Sequence, residues 1–248
     1  FLADPYTIMQ VGPVKIGFLG LTTTSTKKWK NVSNLVDFNL ADEVETAKRY
    51  IPEMKQKCDF IVAVYHGGFE RDHSGKFIDI NPGENRGYDI LKQISGIDAL
   101  ITGHQHRKIA GKLLGRPIIQ PGYRGELVGR ISLDINTKEM KIAKTETELI
   151  SVAKYSVDPE MRDSVGQLRV DLQHWLDKPL SRIEGSLTFP DAAAARIRET
   201  PFLEFIQKVQ MDAMGTDISA TALYNNEAHG FESPITMRNI ITNYVYPN

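Results

Sequence analysis

The chain has 248 residues, 41% hydrophobic and 25% charged, enough for about one large domain or one and a half smaller ones. Its 30 Lys and Arg against 31 Asp and Glu leave a formal charge of −1, so it lacks the basic excess expected of a binder of nucleic-acid polymers. The single Cys58 excludes an internal disulfide, and no apolar run is long enough to span a bilayer.

Val14–Leu21 predicts a strand, followed by a Thr/Ser-rich loop through Thr26. A helix is expected over 42–57, where Val44, Ala47, Tyr50, Ile51 and Met54 recur at helical spacing behind an acidic first turn. Cys58 follows as a small, half-buried residue. Phe60–Tyr65 predicts a buried strand running into His66-Gly67-Gly68. A loop then leads through Gly83 to a helix over 84–94, and Ile97–Thr102 predicts a second buried strand, ending in Gly103-His104-Gln105-His106. Pro117–Gln120 and Glu126–Ile135 read as strands flanking the turn Pro121–Gly125, and Lys141–Ile150 as an exposed strand. Helices alternating with strands, then hairpin-like strands, predict an α/β sandwich with mixed sheets. Residues 158–177 turn helical, with Met161, Val165, Leu168, Leu172 and Trp175 at steps of three or four, and Pro179 stops the run. Thr200-Pro201 fits a helix cap followed by proline at the first helical position. Phe202, Phe205, Ile206, Val209 and Met214 then give an apolar stripe that reads as domain core and ends near Gly215.

Two buried strands that each end in histidine and a small residue collect imidazoles at one sheet edge. Alternate residues of an extended strand share a face, so His104 and His106 could meet one ion or two neighbouring ions. Imidazole suits Zn, Mn or Fe, and His66, His104 and His106 are therefore candidate metal ligands. Three imidazoles without a carboxylate make an incomplete hydrolytic centre. His73 lies in a polar loop and His174 beside Trp175 on a helix, where solvation or packing is the simpler reading. No glycine-rich loop of the phosphate-cradling kind is present.

These motifs resemble the calcineurin-like metallophosphoesterases, and within them the bacterial 5′-nucleotidase and 2′,3′-cyclic-nucleotide 2′-phosphodiesterase/3′-nucleotidase family. Val64-Tyr65-His66-Gly67 and Gly103-His104-Gln105-His106 resemble its strand-to-histidine and terminal G-H-x-H motifs. Gly83-Glu84-Asn85 resembles a segment of the cyclic-phosphodiesterase branch. Asn225–Phe231 and Met237–Asn248 resemble the opening part of its second domain. The resemblance implies an α/β fold in which residues 1–155 form the second half of a four-layer sandwich. Residues 156–180 would be a linker helix, and residues 181–248 the start of an α+β nucleotide-binding domain.

The function so implied is hydrolysis of nucleoside 2′,3′-cyclic phosphates and 3′-nucleotides with two divalent ions, Zn, Mn or Fe, in an extracytoplasmic bacterial enzyme. Hydrolysis of 5′-nucleotides or nucleotide sugars, or a non-catalytic nucleotide-binding module, are the alternatives. His66 and His104 match ligands of one ion and His106 a ligand of the other. Asn225 and Asn226 match the segment near the sugar and phosphate of a small-molecule nucleotide. Tyr246 matches the first ring that stacks on the base, or is a plain core aromatic. Asp72, Asp79, Asp89 and Asp98 occupy no ligand position of the family. The family's Asp-x-His, bridging Asp and Asn-His-Glu or Asn-His-Asp segments have no match ahead of His66. The resemblance therefore implies an internal fragment, inactive alone, whose missing upstream segment would complete the active site and supply the acid–base histidine.

Overall fold

Strand pairing decides where the histidines sit. The computed structural model describes residues 4–29, 35–80 and 83–244, and the chain divides into two units, residues 1–156 and 157–248. The first unit runs β1 (Tyr6–Val11), β2 (Val14–Thr22), α1 (Thr26–Trp29), α2 (Glu43–Met54), β3 (Phe60–His66), α3 (Gly87–Gln93), β4 (Ala99–Thr102), β5 (Lys108–Leu113), β6 (Arg116–Pro121), β7 (Leu127–Asn136) and β8 (Lys141–Ser151). Six strands make one sheet in the order β1-β2-β3-β4-β6-β5. Its four inner strands run parallel, and β1 and β5 close the edges antiparallel. Parallel strands are buried on both faces, which is why Phe60–Ala63 in β3 and Ala99–Leu100 in β4 are almost continuously apolar and buried.

One face of this sheet is covered by helices. The stripe of α2, with Val44, Ala47, Tyr50, Ile51 and Met54 all buried, joins Leu19, Ile61, Ile90, Leu91 and Leu100 in a single core. Asp42 caps α2, accepting from the Val44 and Glu45 amides at 2.9 and 3.0 Å. The other face, with Phe18, Val62 and Ile119, meets Val128, Leu133 and Ile150 of the β7–β8 hairpin across an apolar cavity of about 630 Å³.

The strands expected at 117–120 and 126–135 form on either side of the turn and belong to different sheets: β6 lies between β4 and β5, and β7 pairs with β8. β5 was not foreseen, because Lys108–Leu113 alternates in burial as an edge strand and carries little apolar signal. The helix expected from residue 84 begins at Gly87, leaving Glu84, Asn85 and Arg86 in the loop. Its start is fixed from a distance, since the buried Glu70 carboxylate accepts from the Tyr88 and Asp89 amides at 3.0 and 2.7 Å while Arg86 offers no side-chain cap. Burial pushes the Glu70 pKa up, against the hydrogen bonds that favour its charge.

The second unit contains α4 (Pro159–Ser164), α5 (Gly166–Asp177), β9 (Pro179–Ser181), β10 (Leu187–Thr188), α6 (Ala192–Ile197), α7 (Pro201–Met214), β11 (Gly230–Phe231), β12 (Ile235–Thr236) and α8 (Met237–Asn243). The helix expected over 158–177 breaks in two at Val165, and Met161, Leu168 and Trp175 lie exposed along it. Thr200 caps α7 through the Leu203 amide and Gly215 ends it in the left-handed region, as expected. Its stripe is core only at the start: Phe202 is 1% exposed, whereas Val209 is 49% and Met214 76% exposed. Phe202 packs edge-on against Phe231 at 4.9 Å and at a tilt against Phe189 at 5.5 Å, which explains why the first turn is buried. Arg238 on α8 grips the Asp177 carboxylate of α5 at 2.6 and 2.9 Å.

Replacing Glu70 by Ala would leave two amides of α3 without an acceptor and should destabilise the first unit by about 1–3 kcal/mol in urea unfolding. Glu70→Gln keeps an oxygen acceptor and should lose less. Equal stability of wild type and Glu70→Ala would contradict the distant cap.

Candidate active site

β3 and β4 run parallel, with Tyr65 opposite Thr102, so their carboxyl ends lie side by side. The loops beyond them are tied together. The Gly103 amide donates to the Gly67 carbonyl at 3.0 Å. The Gln105 side chain accepts from the Phe69 amide at 2.9 Å and donates to the Phe69 carbonyl at 3.1 Å. From the end of β2, the Thr23 amide donates to the His66 carbonyl at 3.0 Å. Gly67 is required by space, because a Cβ there would stand 2.1 Å from the Tyr65 ring.

β4 ends at Thr102, and His104 and His106 are not alternate residues of a strand. Both adopt left-handed backbone angles, φ 61° and 58°, a region sparsely used by non-glycine residues and concentrated at functional sites. The expectation that strand alternation would put both on one face is therefore corrected. A turn places them, and their rings stack on different partners.

His66 and His104 come together, their ring centroids 5.4 Å apart and their planes tilted by 57°. Trp29 stacks on the His104 ring at 4.7 Å. Nε2 of His104 lies 2.7 Å from Oε1 of Glu84, a contact between half-buried side chains. The His106 ring instead stacks on Tyr123 at 4.9 Å. Burial, reinforced by the charges of His104 and His106, holds the His66 pKa below the ordinary histidine value and favours the neutral ring, the form that ligates metal. Two imidazoles sharing a tetrahedral ion through nitrogens about 2.1 Å away would have centroids roughly 5 Å apart, so the His66–His104 pair fits a shared ion. Among the described residues no group of three His, Cys, Asp or Glu side chains is close enough to hold one.

The remaining candidates have other work. Asp98 accepts from the Ile61 amide at the start of β3, Asp79 accepts from the Asn85 side chain, and Asp72 organises its own turn through Ser74 and Lys76. Asp89 lies 3.9 Å from Arg86. In the second unit, Asn225 donates to the Thr242 carbonyl and accepts from the Glu227 amide, and Asn226 accepts from Arg196 at 2.8 Å, so both brace their loop. Tyr246 lies outside the described residues. Glu84 is the site residue whose role sequence reasoning missed. Its motif, Gly83-Glu84-Asn85, was visible, but its contact with His104 depends on a loop that the sequence reading had assigned to a helix.

Comparison with known proteins adds kinship to this geometry. Residues 177–248 match the family described as 5′-nucleotidase, C-terminal domain. Over 100% of this chain and 45% of its own length, a 2′,3′-cyclic-nucleotide 2′-phosphodiesterase/3′-nucleotidase from Salmonella typhimurium is 27% identical. Cell wall protein Lmo0130 from Listeria monocytogenes is 24% identical over 94% of this chain and 32% of itself. A crystal structure of a candidate 5′-nucleotidase from Staphylococcus aureus has a TM-score of 0.88 at 35% identity, over 100% of this chain and 48% of that one. The chain is thus a mixed α/β relative of the nucleotidases, spanning less than half the length of each of these proteins.

Proposed function

We propose that this chain carries the histidine side of a two-metal phosphoesterase centre, and that the complete gene product hydrolyses nucleoside 2′,3′-cyclic phosphates and 3′-nucleotides. The observation that carries this reading is the His66–His104 pair at the carboxyl ends of two adjacent parallel strands. Kinship along the whole chain with the Salmonella enzyme supports the substrate class. His66 and His104 would hold one divalent ion, Zn, Mn or Fe, and His106 would contribute to a second after leaving Tyr123. When bound, the ions would polarise phosphoryl oxygens and lower the pKa of an attacking water. Domain assignments of 1–155, 156–180 and 181–248, and an extracytoplasmic location, belong to the same reading. The name of the Listeria relative supports that location. Among the described residues no helix is long and apolar enough to cross a membrane. The 35% identity with the Staphylococcus aureus structure favours 5′-nucleotides as the second reading of substrate.

No carboxylate completes a three-donor group with the histidines among the described residues, so the isolated chain should hold divalent metal weakly and turn over nothing. Loading it with Mn or Zn, desalting, and measuring bound metal by mass spectrometry alongside a chromogenic phosphodiester tests this. Two tightly held ions with robust turnover would contradict it.

In the complete gene product, His66→Ala, His104→Ala and His106→Ala should each abolish hydrolysis while circular dichroism stays unchanged. His73→Ala and His174→Ala should keep most activity. Equal losses in all five would show the site to be misassigned, and faster turnover of 5′-nucleotides than of 2′,3′-cyclic ones would favour the second substrate reading.

Tyr246 would stack on the base, a contact worth about 1–3 kcal/mol, so Tyr246→Ala should cut catalytic efficiency on a nucleoside 2′,3′-cyclic phosphate by roughly ten- to a hundredfold. Tyr246→Phe should retain most of it, and a phosphodiester without a base should barely respond. Equal losses on both esters would make Tyr246 a packing residue.

A further inference from the structure

Among the described residues, Glu84 is the polar side chain bonded to a ring nitrogen of the histidine pair. An ionised carboxylate only accepts hydrogen bonds, so in the neutral ring this contact places the proton on Nε2 of His104 and leaves Nδ1 with the free lone pair. We propose that Glu84 is the positioning residue of this site, selecting the His104 tautomer that presents Nδ1 as the ligand nitrogen. This proposal rests on the metal reading given above.

The surroundings of Glu84 suit that task. Its carbonyl accepts from the Thr23 hydroxyl at 2.7 Å, and the Gly83 carbonyl accepts from the Ser25 hydroxyl at 3.4 Å, so the loop is anchored to the end of β2. On the other side, the buried Asn85 accepts from the Gly68 amide at 2.6 Å, two residues beyond His66. The Glu84 backbone is therefore held to the ends of both neighbouring strands before its side chain reaches His104. The His104 and Glu84 side chains are only 20% and 18% exposed, which limits competition from water. Trp29, stacked within 23° of parallel, fixes the plane of the ring that Glu84 orients. The left-handed backbone at His104 sets the direction in which the ring leaves the chain. Together these contacts define the tautomer, plane and direction of one ligand. An outer carboxylate on a ligating histidine typically changes metal affinity by about 10–100-fold.

The test uses the full chain, metal-free and labelled with ¹⁵N in histidine, above the imidazole titration range. Long-range ¹H–¹⁵N spectra should show His104 as the Nε2–H tautomer in wild type. Glu84→Ala should give a mixture of tautomers, while Glu84→Gln, which keeps an oxygen acceptor, should retain the wild-type form. His104 found as Nδ1–H in wild type, or unchanged in Glu84→Ala, would overturn the proposal. Zinc is then titrated into each sample. Shifts at the His66 and His104 rings should need about 10–100-fold more zinc in Glu84→Ala than in wild type. An unchanged zinc requirement in Glu84→Ala would overturn the positioning role. If neither ring of the wild type responds to zinc, the metal reading itself falls, while the tautomer spectra still decide what Glu84 does to His104.

Discussion

The parallel register of β3 against β4 is the constraint on which the site depends. Val62 opposite Ala99 through Tyr65 opposite Thr102 brings two strand ends level, and the residues just beyond them are His66 and Gly103-His104. A slip of one residue would exchange the helix-facing and hairpin-facing side chains of either strand, so the packing of Ile61, Ala63 and Leu100 in the core defends the position of the histidines. The Gly103–Gly67 hydrogen bond and the two hydrogen bonds between the Gln105 side chain and the Phe69 backbone extend that register past the last strand residue into the loops. Fold stability and site geometry are thus one set of contacts.

The two faces of the sheet are treated differently. Helices α2 and α3 seal one face with close-packed aliphatic side chains, whereas the β7–β8 hairpin stands over the other across an apolar cavity. The polar groups of the site are concentrated at the sheet's carboxyl edge, where Thr23, Asn85 and Gln105 each satisfy backbone groups of neighbouring loops and Glu84 bonds the His104 ring. Irregular backbone near a buried edge must place its hydrogen bonds somewhere, and here side chains supply many of the partners. Glu70 does the same for α3, and in the second unit the buried Asn243 accepts from the His229 and Gly230 amides and donates to two carbonyls.

What the sequence revealed and what it hid follow from how local each signal is. The α2 stripe behind Asp42, the Thr200-Pro201 start of α7 and the apolar runs of β3 and β4 are short-range patterns, and each formed where expected. The pairing of His66 with His104 was legible because both lie at the ends of buried strands. The local geometry of His106 was not legible, because a turn with two left-handed histidines stands where a continuing strand was expected, held by bonds from Gly103 to Gly67 and from Gln105 to Phe69. Glu84 was seen only as part of a motif, because its contact spans 20 residues and needs a loop where helical spacing suggested a helix. The stripe of α7 overstated its burial, since an amphipathic pattern shows which face is apolar but not what covers it.

Anomalous scattering from crystals of the complete gene product grown with zinc tests the central claim most directly. A peak is expected at the carboxyl edge of β3 and β4, about 2.1 Å from a nitrogen of each of His66 and His104, with Glu84 still on Nε2 of His104. A well-occupied zinc site elsewhere, with both of these histidines unliganded, would contradict it.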